Sequence, residues 1–419
     1  MAKFKIIGGK PLHGTISTTG AKNSALPIIA ACLLTDEICE IDNIPDILDI
    51  QVMLEIIQEL GAIVKKINPH KYQIQAQKIK TTQLKSELIS KLRASILLMG
   101  PMLARMKKIQ MKHPGGCIIG KRPVGTHFWA LEKMGATTKQ DQTYYYAQAP
   151  RGLNPTEMFL DEPSVTATEN VLMAAALTPG KTVLKDAACE PHVQDLAHFL
   201  IKMGALISGI GTNHLEIIGA QKLQGAKHRL IPDFLDIGTF AAAAAATKGE
   251  ITIKDVVATD LDPILAKLEM MGVKYKLENR SLKILKSPNL KASRIQTRPW
   301  PGFPTDLQAP FCVLSTQAKG TSLIHDWIYE RRLLYTDNLI KMGAEIVWCD
   351  PHRALVTGPT QLYGAQIGSP DIRAGIALII AGLAAKGETI IDNIDLVDRG
   401  YEAVEIRLQA LGANIKRIK

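Results

Sequence analysis

The sequence predicts an α+β protein of six repeats, grouped as two domains of three, and two observations carry that expectation. The first is a recurring hydrophobic–Gly–Ala/Val step at the end of an amphipathic stretch: "LGAIVKK", "MGATTKQ", "MGALISG", "MGVKYKL", "MGAEIVW" and "LGANIKR". Its glycines are Gly61, Gly135, Gly204, Gly272, Gly343 and Gly412, at intervals of 74, 69, 68, 71 and 69 residues. The second is a β-branched alternation ending in Asp, in phase with the glycines: "EICEID", "KTVLKD", "EITIKD", "TSLIHD" and "ETIID". Asp42, Asp186, Asp255, Asp326 and Asp392 mark five repeats, and His113 of "KIQMKH" holds the sixth place. A fixed period of this length sets the architecture before any motif is considered.

Each repeat then reads in the same order. An apolar, Ala-rich helix ("SALPIIAACLL", "ENVLMAAAL", "GTFAAAAAATKG") precedes the Asp-ended strand; a loop, an amphipathic helix, the Gly turn and a strand pair follow. The helices are apolar around their circumference, which predicts burial under sheets.

The polar residues share this phase. Nineteen or twenty places before each marker stand Asn23, Arg93, Thr166, Asp236, Asp306 and Arg373, expected just before the apolar helices. Helix N-termini carry unpaired N–H groups and the positive dipole end, so they suit anions. After each marker comes a second polar loop: Cys117 with Arg122, Glu190 with His192, Asp260, Glu330 with Arg332, and Asp398 with Arg399. Pseudo-symmetric repeats would bring the two loop sets to one end of each domain, and two such ends facing each other would make a substrate cleft.

Composition narrows the partners. A chain of 419 residues with 46% apolar residues is long enough for two or three cored domains. The run "AGIALIIAGLAA" is too short to span a bilayer and "MAKFKIIGGK" too short for a secretory signal, so a soluble, cytoplasmic protein without membrane insertion is expected. Six cysteines (Cys32, Cys39, Cys117, Cys189, Cys312, Cys349) form no CxxC pair, which fits a reducing compartment and argues against zinc. A net charge of +10 suits anionic small molecules or nucleic acid; without Lys/Arg blocks, and with 5% aromatic residues, nucleic acid is disfavoured.

One loop stands out. In "HPGGCIIGKRPVGTH", Cys117 follows two glycines and precedes Lys121 and Arg122. Most free cysteines are small buried hydrophobes, the expectation for the other five. Nearby cations favour thiolate, and glycines let a loop fold over a ligand, so Cys117 is the reactive candidate.

"GAKNSALPIIAA", "RASILLMGPMLAR", "PGGCIIGKRPVGTH", "FPTDLQAP", "DIRAGIALIIAGLAAKG" and "DRGYE" resemble, in order and spacing over the whole chain, the UDP-N-acetylglucosamine enolpyruvyl (1-carboxyvinyl) transferases of the EPSP synthase superfamily. The resemblance implies two inverse βαβαββ domains with threefold internal symmetry. Residues 22–230 would form the domain carrying the Cys117 loop, and 1–21 plus 231–419 the one carrying Asp306, Asp371 and Arg399. It further implies transfer of the enolpyruvyl group of phosphoenolpyruvate to the 3'-hydroxyl of UDP-N-acetylglucosamine with release of phosphate, without metal or organic cofactor.

By the family's pattern Lys22, Arg122 and Arg399 meet phosphoenolpyruvate, and Asn23 touches both substrates. Cys117 is the proton donor, forms an adduct with phosphoenolpyruvate and is the target of fosfomycin. Asp306 of "FPTD" is the candidate base, with an N-cap as its structural alternative. Asp371, Arg373 and Arg332 complete the site. Arg93, Arg122, Pro123, Val124, Ser164, Val165, Thr166 and Ile328 match positions that hold the UDP-sugar, with the backbone of "PSVT" carrying the diphosphate. Three positions depart from the commonest pattern: Glu162 stands where some members carry lysine, and Phe234 and Cys189 each replace an arginine. The rival expectations are a 5-enolpyruvylshikimate-3-phosphate synthase, against which the Cys loop argues, and a silent UDP-sugar-binding paralogue, against which the retained Lys22, Cys117, Arg122, Asp306 and Arg399 argue.

Overall fold

Six four-stranded sheets of identical topology account for the repeat period in a computed structural model that describes residues 2–116, 119–120 and 122–418. In each, the Asp- or His-marked strand lies between a parallel edge strand and an antiparallel neighbour, which in turn pairs antiparallel with the fourth. The marked strands are Ile38–Asp42, Lys108–Lys112, Gly180–Lys185, Glu250–Lys254, Gly320–His325 and Glu388–Asp392. Their parallel partners and antiparallel partners follow one register pattern throughout.

The chain closes some of these sheets with strands from distant positions. Lys3–Ile7 pairs antiparallel with both Glu388–Asp392 and Asn414–Ile418, completing the sixth repeat. His13–Ser17 is the parallel edge of the fourth repeat, and Lys227–Arg229 that of the first. Two compact units result among the described residues: 2–19 with 119–120 and 232–418, and Gly20–Gly116 with Arg122–Ile231.

The repeat markers have a conformational cause. All six marker glycines lie at positive φ, between 76° and 115°, where a Cβ is strained, so the helix-to-strand turn selects glycine each time. After the marked strands the backbone again turns left-handed, at Asn43 (63°), Asp186 (55°), Asp255 (61°) and Asn393 (59°). Asn and Asp tolerate that region best among residues with a side chain. The repeat Asp therefore ends a strand in the first and sixth repeats and occupies the turn itself in the third and fourth.

The apolar helices are buried as their composition dictates. Every residue of Phe234–Ala246 is buried, and all of Ile372–Ala384 but its last residue. One apolar core runs through each unit. A fully buried Leu, Ile or Phe contributes about 1.5–3 kcal/mol. The small residues permit close helix approach: a Cβ on Gly100 would sit 2.4 Å from the Asn170 carbonyl oxygen. Among the described residues no helix is long and apolar enough to cross a membrane.

Of the six polar residues expected just before these helices, four lie within the first turn, Asp236 as the third residue of Phe234–Ala246, and two precede their helices. Asn23 and Thr166 are second residues of Lys22–Ala31 and Val165–Ala176, and Arg373 is second in Ile372–Ala384. Arg93 and Asp306 sit in the 3-10 turns Arg93–Leu98 and Thr305–Leu307 that lead into theirs.

Candidate active site

In the Pro232–Lys419 unit, Asp306 joins two repeats. Its Oδ1 accepts from Arg332 Nη2 at 2.5 Å, and its Oδ2 accepts from Arg373 Nε at 2.9 Å. The Asp306 side chain caps no helix, so the structural alternative weighed for this residue does not apply. Capping falls to Asp371, which accepts from the amides of Arg373 and Ala374, and to Asp233, which accepts from those of Leu235 and Asp236.

Both guanidiniums are buried. Burial opposes their charge, but Asp306, Asp371 and Asp326 around Arg332, and Tyr401, Asp306 and Asp233 around Arg373, raise their pKa values above the ordinary arginine range. Arg373 also donates to the Tyr401 hydroxyl (3.0 Å), which meets Thr239 at 3.0 Å. Arg407 grips Asp236 with both terminal nitrogens, at 2.8 and 2.6 Å.

The fifth repeat's marker, Asp326, is buried, and burial raises its pKa. It accepts from Thr305 Oγ1 (2.5 Å) and from the amide of Ile328 (3.1 Å), which fixes the turn that presents Ile328. Arg399, half-buried, ends the short helix Asp395–Asp398.

In the Gly20–Ile231 unit the predicted residues are held by different chemistry. Lys22 opens its helix and forms a buried ion pair with Asp49, 2.6 Å. Half-buried Asn23 follows it. Arg93 donates through Nη2 to the backbone carbonyl of Arg122, tying the first turn of one helix to the loop before the next. Pro123 is exposed and Val124 buried. Ser164 stands at the N-cap of Val165–Ala176 with no side-chain capping bond, and Thr166 Oγ1 lies 3.0 Å from His127 Nε2. Cys117 and Lys121 lie outside the described residues.

Several polar residues here were not singled out from sequence. His127, within the quoted "PVGTH" loop, is buried and bonded to Asn170; burial, with Arg93 nearby, lowers its pKa to about 3. Asp195 accepts from Ser24 and meets His228 Nε2 at 2.8 Å, pinning the first apolar helix to Pro191–Met203. Glu169 is buried, and burial together with the Glu190 charge raises its pKa well above the usual carboxyl range. None carries a spacing signature, because each is defined by a partner far along the chain.

The three departures also find places. Phe234 is a buried ring edge-on to Trp300, 5.7 Å between centroids. Burial and Glu190 raise the half-buried Cys189 thiol to about 11, which disfavours its thiolate. Glu162 accepts a hydrogen bond from Thr126 at 3.4 Å. Among the described residues no group of His, Cys, Asp and Glu could hold a metal ion.

The family model described as EPSP synthase (3-phosphoshikimate 1-carboxyvinyltransferase) matches residues 6–408. A UDP-N-acetylglucosamine 1-carboxyvinyltransferase of Treponema denticola is 43% identical over 424 residues, covering 99% of each chain. The same-named protein of Halothermothrix orenii is 43% identical over 419 residues, covering 100% of each. The chain belongs to this family. Solved structures agree on the fold: an enolpyruvyl transferase of Streptomyces tendae superposes with a TM-score of 0.90 at 23% identity, over 99% of this chain and 98% of that one. EPSP synthase of Acinetobacter baumannii gives 0.79 at 18% identity over the whole of both chains.

Proposed function

We propose that the chain transfers the enolpyruvyl group of phosphoenolpyruvate to the 3'-hydroxyl of UDP-N-acetylglucosamine, releasing phosphate, as the first committed step of cytoplasmic peptidoglycan synthesis. The observation that carries this reading is 43% identity, end to end, with proteins named for that transfer. The residues expected for the chemistry are all present in the chain.

Substitution at a vinyl carbon proceeds by addition and then elimination. C3 of phosphoenolpyruvate gains a proton, C2 bonds to the sugar oxygen, and loss of a C3 proton with phosphate restores the double bond. The assigned donor is Cys117. Asp306 takes the hydroxyl proton, with Arg332 and Arg373 orienting its carboxylate. Lys22, Arg122 and Arg399 neutralise the phosphate and carboxylate, as charge stabilisation at the reacting centre requires. Arg93, Pro123, Val124, Ser164, Val165, Thr166 and Ile328 seat the sugar nucleotide, Asn23 touches both substrates, and Asp371 holds the first turn bearing Arg373.

Phosphate release on mixing both substrates with the intact protein tests the reading. Cys117→Asp should keep substantial turnover, because a carboxyl can still exchange a proton, whereas Cys117→Ser should lose most of it. Fosfomycin should add once, at Cys117, faster with sugar nucleotide present. Full activity in Cys117→Ala, or an adduct on another cysteine, would remove this thiol from the reaction. Turnover with shikimate 3-phosphate as acceptor would favour the activity named in the matched family description instead.

A further inference from the structure

Arg373 meets Asp306 with one edge of its guanidinium: Nε and Nη2 both lie 2.9 Å from Oδ2. The remaining corner, Nη1, donates to the Tyr401 hydroxyl at 3.0 Å, with the cation 5.3 Å from the ring centroid. Proton direction fixes the phenol in turn. Nη1 can only donate, so Tyr401 Oη accepts from it and sends its own proton elsewhere. Thr239 Oγ1 lies 3.0 Å away and itself donates to the Leu235 carbonyl at 2.7 Å, which leaves its oxygen to accept. The chain therefore runs from Arg373 to Tyr401 to Thr239 to Leu235, with each proton used once. Burial raises the Tyr401 pKa, so the phenol keeps the proton that this chain needs.

We propose that Tyr401 is a positioning residue for the enolpyruvyl transfer: its hydroxyl holds the Arg373 guanidinium so that the Nε–Nη2 edge keeps the Asp306 carboxylate in the orientation from which it takes the sugar proton. This rests on the reading above, in which Asp306 is the base, and adds a residue to that site. A planar guanidinium held at two corners cannot swing, whereas one held by Asp306 alone would follow the carboxylate. The ring by itself would pack as well in Phe, so the hydroxyl is what the chain of donors uses. Three repeats meet through it: the fourth supplies Thr239, the fifth Asp306, and the sixth both Arg373 and Tyr401. The turn carrying Tyr401 also carries Arg399, and Gly400 lets it approach the helix start before Arg373, since a Cβ there would lie 2.5 Å from Ile372 Cγ2.

Steady-state phosphate release by the full chain, with phosphoenolpyruvate and UDP-N-acetylglucosamine each varied, tests this. Tyr401→Phe keeps the ring and removes only the hydroxyl, so kcat should fall about 10- to 100-fold, the range for one hydrogen bond to a charged group. KM for each substrate should stay within about threefold, because the hydroxyl acts on the base rather than on binding. The acidic limb of the kcat profile should move up by about half a pH unit to one unit, since a swinging guanidinium stabilises the ionised carboxylate less. Thr239→Val, nearly isosteric, should cost about three- to tenfold. The double variant should be no slower than Tyr401→Phe alone, because the threonine acts only through the phenol. An unchanged kcat in Tyr401→Phe, an acidic limb that stays in place, or losses that multiply in the double variant overturns the positioning role and leaves the functional reading standing. No phosphate release by the unaltered protein overturns both. If Tyr401→Phe fails to fold, Thr239→Val must show the upward limb shift with KM unchanged, and without that shift the proposal falls.

Discussion

The apolar helix starts at Arg373 and at Thr166, one in each compact unit, are held in opposite ways. In the Pro232–Lys419 unit, Asp306 is in direct contact with the guanidiniums of Arg332 and Arg373, Asp236 with that of Arg407, and the Asp233 charge acts on Arg373. In the Gly20–Ile231 unit the first turn of Val165–Ala176 is organised by neutral groups: a carbonyl, an amide, an uncharged imidazole and a hydroxyl. Salt-bridged arginines have their charge partly answered already, so they orient a carboxylate more than they attract an anion. Neutral partners leave the partial positive charge of the helix N-terminus unanswered. The lesson is that one repeat pattern can place a polar residue at the same helix start each time, while its neighbours decide whether that start is held by charged or by neutral partners.

The largest effect should come from the charged network. Asp306→Asn keeps the shape but cannot accept a proton, so turnover should fall by two to four powers of ten, roughly the range for lost acid–base catalysis. Because the change also leaves two buried guanidiniums with a weaker partner, stability should fall by about 3 kcal/mol. Phosphate release and denaturant melts measure the two losses. A turnover loss with unchanged stability would show that Asp306 contributes little to holding the arginines.

The second test contrasts pH responses. His127 has a folded pKa of about 3, below its unfolded value near 6.5, so its stabilising contribution is present above pH 6.5 and is lost as pH falls through 3. Relative to His127→Gln, the unaltered protein should lose up to roughly 4 kcal/mol over that window. Parallel stability profiles would mean that the imidazole is charged in the folded protein and cannot accept from Asn170 Nδ2.

The smallest effect has the opposite slope. Asp233 is buried and its folded pKa is raised to about 6, chiefly by burial, so its contribution is complete below the unfolded value near 3.9 and is lost as pH rises through 6. Asp233→Asn retains an N-cap residue and removes the buried charge. It should leave stability unchanged near pH 4 and raise it by about 2 kcal/mol at pH 8. A loss at pH 8 would mean that attraction to Arg373 outweighs the burial cost.

Much of this arrangement was legible in the chain itself. The glycine period stands out because glycine best tolerates each positive-φ turn, and the Asp phase because Asp and Asn suit the left-handed residue after four of the marked strands. Arg93, Thr166, Asp306 and Arg373 could be found by counting, since one repeat geometry puts them in one turn. The partners could not. Asp49 beneath Lys22, Asn170 behind His127, Asp195 between Ser24 and His228, and Tyr401 against Arg373 are each chosen by contacts between distant segments. Asp306 is instructive: Asp favours helix starts, yet its carboxylate pairs with two guanidiniums, one of them 67 residues away in sequence.

The sequence by itself determined the six repeats, their helix–strand order, the burial of the Ala-rich helices and the turn in which each polar residue sits. Backbone conformation and hydrophobic period act over a few residues, so they are written locally. Only the tertiary structure decided that the chain's first strand finishes the sixth sheet, and that Asp306 pairs with Arg332 and Arg373. Pairing and hydrogen-bond direction depend on what packing brings within about 3 Å, and no local pattern specifies that.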